Sequence, residues 1–184
     1  MTKKIPIVVI ALKVTAKKGL SNFRRNQNFY TSFVSFYTGL ITAIANNPSC
    51  MEIKQQDNTI IIIWNYSDNN IESLIQGYHK LHLLLLQINK SFPSCQIKYF
   101  LAVEFANCQF HQISSNSKAP KFLIESDMIE RTQKVLSCLD GKIYPSIMLT
   151  HAFHELLSEQ LKKSMNKPYY FYHICCYSYK KHFH

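Results

Sequence analysis

The stretch that most constrains this chain is Ile53-Lys54-Gln55-Gln56-Asp57-Asn58-Thr59-Ile60-Ile61-Ile62-Ile63-Trp64. Two extended arms flank Asp57-Asn58, residue types that tolerate positive φ and bond to their own backbone. The segment therefore predicts a β-hairpin closed by a tight turn. The arm from Thr59 to Trp64 is a nearly continuous apolar run, which suits a strand covered on both faces better than a surface strand. Asp57 at the tip is a carboxylate available to a cation, or it simply closes the turn.

At 184 residues the chain is long enough to bury a sizeable core, and it reads as one domain over residues 1–184. A hydrophobic fraction of 47% with only 4 Gly and 6 Pro excludes a fibrous or disordered chain. No apolar run approaches the roughly 18–20 residues that span a bilayer. Lys3-Lys4 followed by Ile5 to Leu12 imitates a signal peptide, but Lys13, Lys17 and Lys18 follow where small residues would mark cleavage. The expectation is a first strand in a cytoplasmic protein with no membrane partner. The cysteines at 50, 95, 108, 138, 175 and 176 form no C-x-x-C pair, so reduced and mostly buried thiols are expected. The net charge of +10 suggests affinity for polyanions. Its basic clusters (Lys17-Lys18 with Arg24-Arg25, Lys162-Lys163, Lys180-Lys181) are small and separate, as on an ordinary solvated surface.

Ile5 to Thr15 predicts strand one. Phe29, Phe33, Phe36, Tyr37, Leu40, Ile41 and Ile44 recur at three- and four-residue intervals, predicting a long amphipathic helix from about Asn26 to Asn46. Pro48 ends it. After the hairpin, Ile71, Leu74, Ile75, Tyr78, Leu81, Leu85 and Ile88 mark a second helix that stops before Phe92-Pro93. His79 and His82 lie near one face of it, as a conceivable metal pair or as two solvent-edge histidines. Gln96 to Phe105 is the next strand, and Cys108 to Ile113 is expected to pair back on it. Ser114 to Pro120 is a polar loop. Ser126-Asp127 caps a third helix with Gly141 at its exit, and Ile143 to Leu149 is a strand. Thr150 caps one short helix through Leu161, and a single last strand follows Pro168, alternating from Tyr169 to Cys176. The order is β-α-β-β-α-β, then a hairpin, helix, strand, helix and strand.

That order, with Asp57 between the second and third strands, resembles the class III nucleotidyl cyclase catalytic domain over nearly the whole chain. The resemblance implies an α+β fold with a ferredoxin-like βαββαβ core and additional C-terminal strands and helices. Lys54, Gln56 and Asp57 match the family's Lys-x-x-Gly-Asp segment. Ser126-Asp127-Met128-Ile129-Glu130 falls where the family has Gly-Asp-x-Val-Asn, and Ile143 to Thr150 resembles the strand before the next helix. In size the chain is similar to small bacterial cyclases of antiphage defence that make cyclic pyrimidine mononucleotides. By resemblance, Asp57 is the candidate metal ligand, Lys54 and Asp127 are candidate nucleotide-binding residues, and Glu130 and Lys134 occupy the catalytic Asn and Arg positions.

The departures are chemical. Family members hold two Mg²⁺ ions with two carboxylates, the first near the end of strand one. Here that region reads Ala11-Leu12-Lys13-Val14-Thr15-Ala16, with no acid before Glu52. Glu130 replaces Asn, Lys134 loses the planar fork of Arg, and Gln56 replaces a Gly. Apart from the resemblance, Asp127 is a residue favoured by a helix N-terminus, and Lys54, Glu130 and Lys134 are ordinary surface positions. The leading expectation is a catalytically attenuated or inactive cyclase-homology domain, homodimeric and nucleotide-sensing, binding a nucleoside triphosphate without a metal. The alternative is an active nucleotidyl cyclase using Mg²⁺ or Mn²⁺ at Asp57 and a second carboxylate such as Glu104. A basic nucleic-acid-binding ferredoxin-like domain ranks third, because the Gly-Phe-rich aromatic strand motif of RNA-recognition sheets is missing.

Overall fold

The computed structural model describes residues 4–16, 27–46, 48–56, 59–66, 83–93, 97–109, 111–113, 121–123, 126–139, 146–171 and 173–178. In chain order the elements are β1 (Lys4–Ala16), α1 (Gln27–Ala45), β2 (Cys50–Gln56), β3 (Thr59–Asn65) and a helical segment α2 over 83–91. There follow β4 (Ile97–Gln109), β5 (His111–Ile113), β6 (Lys121–Leu123), α3 (Ser126–Ser137) and β7 (Ser146–Thr150). The last are α4 (His151–His154), α5 (Glu159–Lys163), β8 (Tyr169–Phe171) and β9 (Ile174–Ser178).

β1 is the strand on which the rest is assembled. It pairs antiparallel with β3 on one side and with β4 on the other, in a sheet ordered β2-β3-β1-β4-β7-β9-β8. Its first four strands have the order and antiparallel sense of a βαββαβ core. The extension begins with β7, parallel to β4 and reached through the α3 crossover that a parallel pair requires. β9 and β8 then add antiparallel.

Alternation along β1 divides the core between the two faces of the sheet. Val8, Ile10, Leu12 and Val14 join Ile60, Ile62 and Trp64 under α1, α2 and α4, with Phe29, Leu85 and Phe153 buried among them. Ile7, Val9 and Ala11 face the other way with Ile61 and Ile63, under Met128, Val135 and Leu136 of α3. Every residue from Ile60 to Trp64 is buried, as the unbroken apolar run predicts for a strand covered twice. At about 25 cal/mol per Å² of apolar surface, each fully buried isoleucine contributes about 2–3 kcal/mol. α2 is pinned to the start of β4 by a paired contact. Asn89 Nδ2 donates to the Ile97 carbonyl at 2.9 Å, and the Ile97 N–H donates to Asn89 Oδ1 at 2.7 Å.

Four expectations are corrected. Cys108 to Ile113 does not pair back on residues 96–105. Instead β4 runs unbroken to Gln109, because the long β1 offers it partners as far as Lys4, and β5 pairs with β6. The single helix after Thr150 is two short ones. Thr150 makes no side-chain cap, whereas the Ser158 hydroxyl accepts from the Leu161 N–H at 3.4 Å and starts α5. The last strand is a hairpin, with Phe171 opposite Ile174 and His173 at φ 67 in the turn. α3 also begins at Ser126 itself rather than after it. Asp57, Gly141, His79, His82 and most of the predicted second helix lie outside the described residues. Among the described residues no helix is long and apolar enough to cross a membrane, and the described cysteines are all free.

Candidate functional site

Register places the sequence-predicted residues. Lys13 lies opposite Thr59 on β3 and opposite Phe100 on β4, and Thr59 is in turn opposite Gln56. Directly paired residues point to the same side of a sheet, so Lys13, Thr59 and Gln56 share the face that α3 covers. Lys54 pairs with Ile61 and points the same way. Its ammonium is 3.3 Å from Glu52.

α3 crosses this face and reaches the hairpin end through its last turns. Gln133 Nε2 donates a 2.8 Å hydrogen bond to Gln56 Oε1. Glu130, Gln133 and Lys134 are neighbours on the helix surface, at three- and four-residue spacing. Glu130 and Lys134 form an ion pair of 2.9 Å, with both side chains more than half exposed. The two candidate catalytic residues are thus brought together, each neutralising the other. Such an exposed pair contributes about 0.3–0.5 kcal/mol.

Asp127 is not brought to this end. It is exposed in the first turn of α3, next to Met128, whose sulfur accepts from the Cys108 thiol at 3.0 Å. Seven residues of helix separate it from Lys134, about 10 Å along the axis. Its carboxylate sits where the helix dipole favours negative charge.

Glu104 is the one buried carboxylate among the described residues, at 4% exposure. It lies opposite Val9, four positions along β1 from Lys13, and so about 13 Å from the hairpin end. That distance separates it from the turn at which it was expected to act as a second metal ligand. Arg131 of α3 approaches its Oε1 at 3.5 Å. Its Oε2 and the neighbouring Thr150 Oγ1 are both buried without a hydrogen-bond partner among the described residues. Burial pushes the Glu104 carboxyl above the usual range, and the Arg131 guanidinium and nearby Thr150 hydroxyl only partly offset it.

Gln133 and Arg131 are the residues that sequence reasoning missed. Neither belongs to a motif, and only the helix phase relative to the sheet register reveals them. No protein-family model and no curated protein matches the chain. Solved structures do. The adenylyl cyclase CyaB from P. aeruginosa superposes with a TM-score of 0.65 at 8% identity, covering 98% of this chain and 96% of that one. The guanylyl cyclase Cya2 gives 0.61 at 11% identity, over 97% and 93%. The guanylate cyclase domain of RhGC from Catenaria anguillulae, in complex with GTP, gives 0.53 at 10%, over 97% and 98%. Over nearly its whole length, this chain has the nucleotidyl cyclase-like fold.

Proposed function

We propose that this is a nucleotidyl cyclase-like domain with attenuated catalysis, which binds a nucleoside triphosphate and assembles as a homodimer. The observation that carries this reading is the position of Lys13, whose ammonium side chain lies opposite Thr59 beside the hairpin end. The described residues there do not fit a two-Mg²⁺ clamp, which needs converging carboxylates. Lysine cannot ligate Mg²⁺, Glu52 is engaged by Lys54, and Glu104 lies about 13 Å away beside Arg131. Glu130 and Lys134 are committed to each other and replace the Asn and Arg that the family resemblance implies for ribose and phosphate.

A triphosphate remains a fitting ligand. Lys13 brings positive charge to the α3 face, beside the ion pairs of Lys54 with Glu52 and of Lys134 with Glu130, and one neighbour of the same fold holds GTP. Binding of this Coulombic kind weakens as salt rises, over a Debye length of about 8–10 Å. The exposed Tyr169 and Tyr170 on edge strand β8 offer aromatic surface for a second copy.

Purified protein incubated with each NTP and Mg²⁺ or Mn²⁺, with products read by mass spectrometry, tests the reading. The expected result is salt-sensitive NTP binding with little dependence on divalent ion and no cyclic product. A cyclic nucleotide whose formation is lost in Asp57→Ala overturns it and establishes an active cyclase.

A further inference from the structure

α4 carries His151 and His154, and its C-cap is Glu155, a His-x-x-His-Glu spacing of about one turn that puts the three side chains on one surface. Their donor atoms all lie within 4.8 Å of one another. The Nδ1 atoms of His151 and His154 are 3.9 Å and 3.3 Å from Glu155 Oε1. Ligands held at about 2.0–2.1 Å around a tetrahedral ion stand about 3.4 Å apart, so small rotamer adjustments close this set around a cation.

The cluster is also held in place. His154 is 8% exposed and its ring stacks on Tyr177 of β9, with centroids 3.7 Å apart and planes within 10°. The Tyr177 hydroxyl is 3.4 Å from His151 Nδ1. Lys162 of α5 approaches the other carboxylate oxygen, Glu155 Oε2, at 3.9 Å. Oε1 is left facing both imidazoles. Phe153, between the two histidines, and Leu157, just after Glu155, are buried under the α1 and α2 face of the sheet, opposite α3. The cluster is therefore separate from the candidate nucleotide site.

We propose that His151, His154 and Glu155 form a binding site for a borderline divalent transition ion of the Zn²⁺ class. Two imidazoles and one carboxylate suit such an ion, whereas Mg²⁺ and Ca²⁺ prefer all-oxygen shells.

The test is titration of chelator-stripped protein with Zn²⁺ against a chromophoric chelator. Wild type is expected to take up one Zn²⁺ per chain at this site. His151→Ala and Glu155→Gln, both at exposed positions and compatible with folding, each weaken that uptake by at least about tenfold. Glu159→Gln, an exposed acid that also contacts Lys162, leaves it within about twofold. Substituted with Co²⁺, the protein shows ligand-field bands without a thiolate-to-metal charge-transfer band. The proposal is overturned if stripped wild type takes up no Zn²⁺, or if both ligand variants bind as wild type does. A thiolate band, placing the ion at a cysteine, overturns it equally.

Discussion

The hydrogen bond from Gln133 Nε2 to Gln56 Oε1 at 2.8 Å ties the last turns of α3 to the end of β2, across 77 residues of sequence. Both partners are uncharged and near solvent, so the bond contributes modestly. Gln133→Ala is expected to lower stability by about 0.5–1 kcal/mol, read as a shift in the urea midpoint with an unchanged slope. A loss above about 2 kcal/mol would mean that Gln133 packs more deeply than its exposure indicates.

Lys13 gives the sharpest handle on the site. Lys13→Asp places a carboxylate opposite Thr59, and calorimetric titration with Mn²⁺ should then show tighter binding than wild type. The reverse-charge control Lys54→Glu, on the same face but engaged with Glu52, should lower NTP affinity by up to about tenfold, or 1.4 kcal/mol. Unchanged metal affinity in Lys13→Asp would remove Lys13 from the site.

Glu104 predicts a pH dependence of stability. Its pKa is raised in the folded state, chiefly by burial, so the native protein holds this proton at pH values where the unfolded chain has released it. Stability is therefore full below the ordinary carboxylate pKa of 4.5 and declines as pH rises from there through the raised folded value. Glu104→Gln keeps the shape without the charge and should flatten that decline in thermal melts. An identical slope in wild type and Glu104→Gln would assign the effect elsewhere.

Cys176 should be inert. Its thiol is buried on β9, and burial first, then Cys175, Glu104 and Cys138, push its pKa up to about 12 from an ordinary 9.0. Three pKa units reduce the thiolate fraction about a thousandfold, and the thiolate is the reacting species. Alkylation of native protein at pH 8, mapped by peptide mass spectrometry, should spare Cys176 and the buried Cys108 and label the part-exposed Cys138. Rapid native labelling of Cys176 would contradict its burial.

The parts of the fold legible in the sequence are those with strong periodicity. The α1 stripe and the run from Ile60 to Trp64 announce their period and burial without tertiary information. Other boundaries depend on partners. β4 continues past Phe105 because β1 extends alongside it, which no local signal reveals. The β8–β9 turn was hidden because it lacks the usual Gly or Asn, and His173 adopts the left-handed conformation instead. At the candidate site, residue types were readable by resemblance, but their pairings were not. That Glu130 holds Lys134, and that Arg131 turns inward to Glu104, follows from helix phase against sheet register.

The doubly covered strand β3 has a consequence for biosynthesis. Five consecutive buried residues, Ile60 to Trp64, rich in β-branched types and without charge or proline, are the kind of segment that self-associates when exposed. Synthesis runs from the N-terminus, so β1 has left the ribosome before β3 follows, and β2 with it. Both neighbours that β3 needs in the sheet are therefore made first, while α3, which covers its second face, comes much later. Chain order thus shields the strand's edges from intermolecular pairing during the interval in which one of its faces is still bare.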